Sequence, residues 1–127
     1  MSKFKSKYLT KLLTKYRAKY TTSEIRKKLL ESKSTEELIL LLDLLDYLMA
    51  ESKLSFHTQV ANKEFLSTLT NLLKNQKSTP QDVFNKILIL IKKWGIRFES
   101  QKDILPNFCE VYNYLLKNKV KFPESNG

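Results

Sequence analysis

The chain has 127 residues, 42% of them hydrophobic and 28% charged, with two glycines, three prolines and a single cysteine. That length suits one modest hydrophobic core, and the composition excludes wholesale disorder, an internal disulfide and an all-β fold, which would need more Gly and Pro punctuation. The net charge of +10 is lopsided: residues 1–33 carry eleven Lys/Arg against Glu24 and Glu31, while the remainder carries twelve against eleven acids, so a basic end on a nearly neutral body points to a localised contact with something acidic.

In chain order, the spacing predicts a first helix over 3–19. Lys3, Lys7, Lys11, Lys15 and Lys19 recur at every fourth position, each followed by Phe4, Tyr8, Leu12, Tyr16 or Tyr20. A four-residue period runs slightly ahead of the helical turn, so a cationic and an apolar row wind side by side. Thr21 with Glu24, and Ser34 with Glu37, match capping boxes that open helices near 22–32 and 35–52. The second of these, with Leu38, Leu41, Leu42, Leu45, Tyr47 and Leu48, is apolar over so much of its circumference that it reads as the central buried helix. A short turn of helix is expected at "FHTQVA", then a helix over 62–75 with Phe65, Leu66, Leu69, Leu72 and Leu73 on one side. Ser78 or Thr79 should cap the next helix, with Pro80 in its first turn and Asp82 close behind, running to about 97. A last helix should start between Asp103 and Pro106 and end near Asn118, with "VKFP" closing the fold. Seven helical segments with short connections make an all-α domain, stacked as a bundle or short superhelix.

Catalysis needs convergent groups, and few are present. Asp43 and Asp46 lie three apart with no His or Cys at ligand spacing, which reads as the solvated edge of a leucine-rich helix rather than a metal or acid–base site. His57 and Cys109 each occur once and carry no pairing information. No Gly-rich phosphate loop, nucleophile elbow or zinc-protease motif occurs. No catalytic residue, metal or cofactor is expected. The N-terminus lacks the apolar core of a signal peptide, "LILLLDLLDYLMA" is broken by Asp43 and Asp46 and too short to span a bilayer, and a lone Cys109 suits a reducing compartment. The expectation is a chain of the cytosol or nucleus, soluble or at most peripheral to a membrane.

The cationic row has a structural reading, in which the apolar row packs inward and the lysines are solvated. Its functional reading is contact of Lys3, Lys7, Lys11, Lys15, Arg17 and Lys19 with anionic lipid headgroups, each well-placed charge contributing about 1 kcal/mol. Interleaved tyrosines also leave RNA open as a partner.

A more specific signal is "FHTQVANKEFLSTL", which resembles the signature segment of VHS domains, the module of endosomal adaptors of the Hrs, STAM and GGA type. "LLDLLDYLMAESKLSFH" is similar to the helix leading into that segment, "NKILILIKKWGIRF" to the tryptophan-bearing helix after it, and "VYNYLLKNKVKFP" to the last helix. The resemblance is strongest over 22–123 and implies one VHS-like domain over residues 1–127, a right-handed, VHS/ENTH-like superhelix of about seven helices, divergent and shortened at its N-terminus. It implies a non-catalytic adaptor in vesicular traffic, recruiting cargo or ubiquitin at endosomal or Golgi membranes, with the basic first helix assisting. A monomer is expected, with nucleic acid disfavoured. The alternatives are a nuclear domain of the same superhelical type that binds the tail of RNA polymerase, and an RNA-binding helical protein.

By the same resemblance, Tyr8 and Leu12 stand at the spacing of the tryptophan and aliphatic residue with which the family's second helix meets ubiquitin, the tryptophan itself being absent. The family's groove for acidic dileucine signals, between its sixth and eighth helices, corresponds to Asn62, Lys63, Glu64 and Ser67, with Tyr112 and Tyr114 on the last helix. Glu64 stands where peptide-binding members carry arginine, so it should repel an acidic ligand. His57 should fix a helix junction, with Phe56, Val60, Phe65 and Leu66 facing the core.

Overall fold

The computed structural model describes residues 22–75 and 77–123, in which every regular element is helical and there is no strand. Six α-helices are present among the described residues: α1 (Thr22–Glu31), α2 (Thr35–Glu51), α3 (Leu54–Val60), α4 (Lys63–Lys74), α5 (Gln81–Arg97) and α6 (Pro106–Lys117), with one 3-10 turn, Glu99–Gln101, between the last two. The helix expected over 3–19, with all six lipid candidates and both ubiquitin candidates, lies outside the described residues. Among the described residues no helix is long and apolar enough to cross a membrane.

Each boundary has a local cause. At α2 the Ser34 hydroxyl accepts the Glu37 amide (3.2 Å) as the capping box requires, while the Ser34 amide is taken by the Ser32 hydroxyl (3.3 Å). Asn62 caps α4 by accepting the Glu64 amide at 2.7 Å. The start of α5 departs from expectation: neither Ser78 nor Thr79 caps it, and Pro80 occupies that position in extended backbone. The Thr79 hydroxyl instead donates to the Leu72 carbonyl at 2.7 Å, folding the turn back onto the end of α4. α6 ends in a reversal in which the Lys119 amide reaches Leu116 O (3.0 Å) and the Val120 amide reaches Leu115 O (3.1 Å). This is a Schellman closure, with Lys119 at φ 59° where glycine is usual.

α2 is the buried centre, packed against α1 and α5, and α5 packs in turn on α4 and α6. Seven apolar residues of α2, from Leu38 to Met49, are buried, each fully enclosed leucine being worth about 1.5–3 kcal/mol against exposure. Trp94 and Phe108 are almost wholly enclosed and meet at 5.7 Å between α5 and α6. These two helices approach closely because of Gly95: a Cβ there would lie 2.6 Å from Tyr112 Cβ.

Asp43 corrects the sequence reading of a solvated edge. Its side chain is 3% exposed and forms an ion pair with Lys86 of α5. Asp46, one turn along, is more open and pairs with Lys93 at 3.0 Å. The two carboxylates are charged rungs between α2 and α5. Burial of Asp43 on an otherwise leucine-lined helix is tolerable because α5 sets Lys86 opposite it.

Candidate functional site

An open groove of about 360 Å³ runs between α4 and α6. Lys63, Leu66, Ser67, Thr70 and Lys74 recur at three- and four-residue intervals and so occupy one face of α4, and Asn107, Glu110, Val111 and Tyr114 do the same on α6. Leu66 is buried beneath and Tyr114 is 57% exposed beside it. The Asn107 amide donates to the Ala61 carbonyl at 2.6 Å, tying the start of α6 to the α3–α4 junction and fixing the upper end of the groove. The lining combines an apolar floor, hydroxyls at Ser67 and Thr70, and lysines at both ends of the α4 face. Such a surface can hold an extended chain with apolar side chains.

Of the residues singled out for a peptide groove, Lys63, Ser67 and Tyr114 line this feature together. Tyr112 does not. It lies against Gly95 and meets the Phe122 ring edge-on at 5.3 Å, on the other side of α6. Asn62 is occupied in capping its helix. Glu64 turns away from the groove toward α1 and pairs with Arg26 at 3.2 Å, while the Arg26 Nε–H donates to the Thr68 hydroxyl at 3.0 Å. The repulsion expected from Glu64 is therefore directed at a different surface, one it shares with Thr22, Arg26 and Gln59. Thr70, Lys74, Asn107, Glu110 and Val111 were not singled out from sequence, and Leu66 only as a core residue, although their helical spacing was readable there.

His57 is buried, and its Nε2 lies 2.8 Å from the Met49 carbonyl at the end of α2. Its ring rests on Phe98 at 4.9 Å. Arg97 Nη1 donates to the same Met49 oxygen at 3.1 Å. Val60, Phe65 and Leu66 are buried around this junction and Phe56 partly so. Cys109 is on α6, with its thiol against the Gly95 carbonyl at 3.6 Å. Among the described residues no three His, Cys, Asp or Glu side chains gather at a spacing that would hold a metal ion.

With this geometry in place, comparison with known proteins gives a consistent answer. The model of the VHS domain family matches residues 11–119. TOM1-like protein 1 of Mus musculus is 34% identical over 104 residues, which is 81% of this chain and 22% of that protein. Target of Myb protein 1 of Dictyostelium discoideum is 33% identical over 101 residues, 79% of this chain and 14% of that protein. The Mus musculus protein named Target of Myb1 membrane trafficking protein is 29% identical over 100 residues, 78% of this chain and 20% of that protein. The chain thus spans about a fifth of the length of the first of these relatives.

Proposed function

The chain belongs to the VHS domain family, and from that premise we propose that it is a non-catalytic adaptor domain of vesicular membrane traffic that recruits protein partners, either sorting-signal peptides or ubiquitin, at endosomal or Golgi membranes. The observation that carries the reading is the α4–α6 groove, where a buried leucine, an exposed tyrosine and two hydroxyls line a channel long enough for a short peptide. α4 rises about 16 Å between Lys63 and Lys74, room for roughly five extended residues. The similarity to a membrane trafficking protein supports the same branch over a polymerase-tail reader. The basic residues Lys3, Lys7, Lys11, Lys15, Arg17 and Lys19 would assist by attraction to anionic lipid, and Tyr8 with Leu12 would be the ubiquitin contact.

Two titrations test this. Amide NMR spectra are followed while leucine-containing sorting peptides and, separately, ubiquitin are added. Peptide binding should move Lys63, Ser67 and Tyr114, and ubiquitin should move Tyr8 and Leu12. Groove amides that stay still at millimolar peptide would overturn the peptide reading. Flotation with anionic vesicles tests the membrane element: Lys7, Lys11 and Lys15 changed together to Glu should abolish it, and retention would remove the lipid role.

A further inference from the structure

A separate cavity of about 260 Å³ opens at the pole where α3 begins and α5 ends. It is lined by Leu54 and His57 of α3, Arg97 in the last turn of α5, Phe98, Gln101 of the 3-10 turn and Ile104. None of these residues borders the α4–α6 groove. Two of its walls are apolar side chains turned to solvent: Leu54 is 49% exposed and Ile104 63%.

Among the described residues Arg97 is the sole cation of this lining, and it has no carboxylate within salt-bridge distance. Its guanidinium is nevertheless fixed in place. Nη1 donates to the Met49 carbonyl at 3.1 Å, and the group lies over the Phe98 ring at 4.8 Å. A single carbonyl occupies one of its five N–H donors, so a fork remains for a planar anion. The dipole of α5 favours a cation in its last turn. That accounts for the charge, but not for an anchored fork set beside two exposed aliphatic side chains. The neighbouring groups are polar in a complementary way. With Nε2 engaged by Met49 O at 2.8 Å, the neutral His57 ring keeps Nδ1 as an acceptor, and the Gln101 amide both donates and accepts. Flanking charges in the sequence balance, Glu51, Glu99 and Asp103 against Lys53, Arg97 and Lys102. Preference for an anion therefore comes from Arg97 inside the cavity rather than from long-range attraction.

We propose that this cavity receives the carboxyl terminus of a partner polypeptide whose last residue is aliphatic. The terminal carboxylate takes the Arg97 fork, and the last side chain lies between Leu54 and Ile104. A terminal residue carries its anion and its apolar group on one Cα, which suits a cavity that holds both recognition elements close together. An internal Asp or Glu supplies the anion alone. The volume lies below the roughly 300–1,000 Å³ typical of sites for whole drug-sized ligands, so it fits a chain end rather than an entire lipid or cofactor. An inorganic phosphate would use Arg97 and gain nothing from Leu54 or Ile104. The site would give the adaptor a second protein contact, and it is independent of the α4–α6 groove, so either can fail alone.

The test is an amide NMR titration of the full chain with N-acetyl-leucyl-valine as the free acid and as its C-terminal amide. The acid should shift Arg97, Gln101 and Ile104 and approach saturation in the millimolar range, with the amide at least about tenfold weaker. Arg97→Lys keeps the charge and loses the fork, and should weaken the acid severalfold. Ile104→Glu sets an anion at the mouth without touching the Met49 contacts, and should abolish binding with an unchanged thermal melt. Equal shifts from acid and amide overturn the proposal, as does the absence of shifts at Arg97, Gln101 and Ile104. Shifts confined to Lys63, Ser67 and Tyr114 would move the ligand to the groove and sink this site while leaving the groove reading intact. Octanoate binding at the cavity as tightly as the peptide acid would assign it to an acyl carboxylate and overturn the polypeptide terminus.

Discussion

Replacing Lys86 with methionine would keep the aliphatic stem and remove the charge facing Asp43. Asp43 is 3% exposed on a helix otherwise lined by leucine, and Lys86 is 24% exposed, so the substitution leaves a carboxylate in a poorly solvated place. Breaking a fully buried pair costs about 3–5 kcal/mol. Lys86 retains some contact with water and Asp43 has a further interaction, which lowers the expected loss to about 2–3 kcal/mol. For a chain of this size that is a fall in Tm of roughly 10 °C. Lys93→Met is the internal control: its side chain is 54% exposed, its partner Asp46 is reachable by water, and its loss should cost under about 1 kcal/mol. The double variant Asp43→Asn with Lys86→Met should recover at least half of the loss, because an amide is cheaper to bury than an unpaired carboxylate. Urea unfolding followed by circular dichroism measures all four proteins. If Lys86→Met costs no more than Lys93→Met, the carboxylate is effectively solvated and the reasoning is wrong.

Gly95→Ala should destabilise by about 1–3 kcal/mol despite alanine's higher helix propensity, since the new methyl would meet Tyr112 at its Cβ, which cannot swing aside; Tyr112→Ala in the same background keeps that Cβ and should not restore the stability, as a thermal melt would show. Lys119→Gly should stabilise by about 0.5–1 kcal/mol because the residue sits at φ 59°, and a lower Tm would argue against the closure described for α6. His57→Phe keeps a ring on Phe98 but loses the bond to Met49 O, for about 1 kcal/mol, whereas His57→Ala loses both and should cost at least about twice as much; equal losses in chemical denaturation would mean that the ring contact contributes nothing.

What could be read in sequence divides by range. The start of α2 was legible because Ser34 and Glu37 lie within one turn of each other, and the span of α6 because Pro106 can only sit in a first turn. Asp43 was misread because its partner lies 43 positions away, and Glu64 because Arg26 lies 38 positions away on a helix whose packing no local pattern reveals. Thr79 was assigned to the wrong helix for a related reason: its hydroxyl serves the element before it. Tyr112 is a different case. Two positions on a helix differ by about 200° around its axis, so Tyr112 and Tyr114 cannot line one groove, and that was deducible without any structure. The same rotation applied to Lys63 and Tyr114 yields the rest of the lining at three- and four-residue steps.

The Met49 carbonyl serves two donors at once, the His57 ring from α3 and the Arg97 guanidinium from the end of α5. A shared acceptor makes the two elements thermodynamically dependent. Opening α2 at Met49 strands both donors at once. Fraying at this pole should therefore be concerted, with the backbone amides of α3 and the last turn of α5 exchanging with solvent as a single unit. The pole opposite the α4 and α6 C-termini would then behave as one stiff unit.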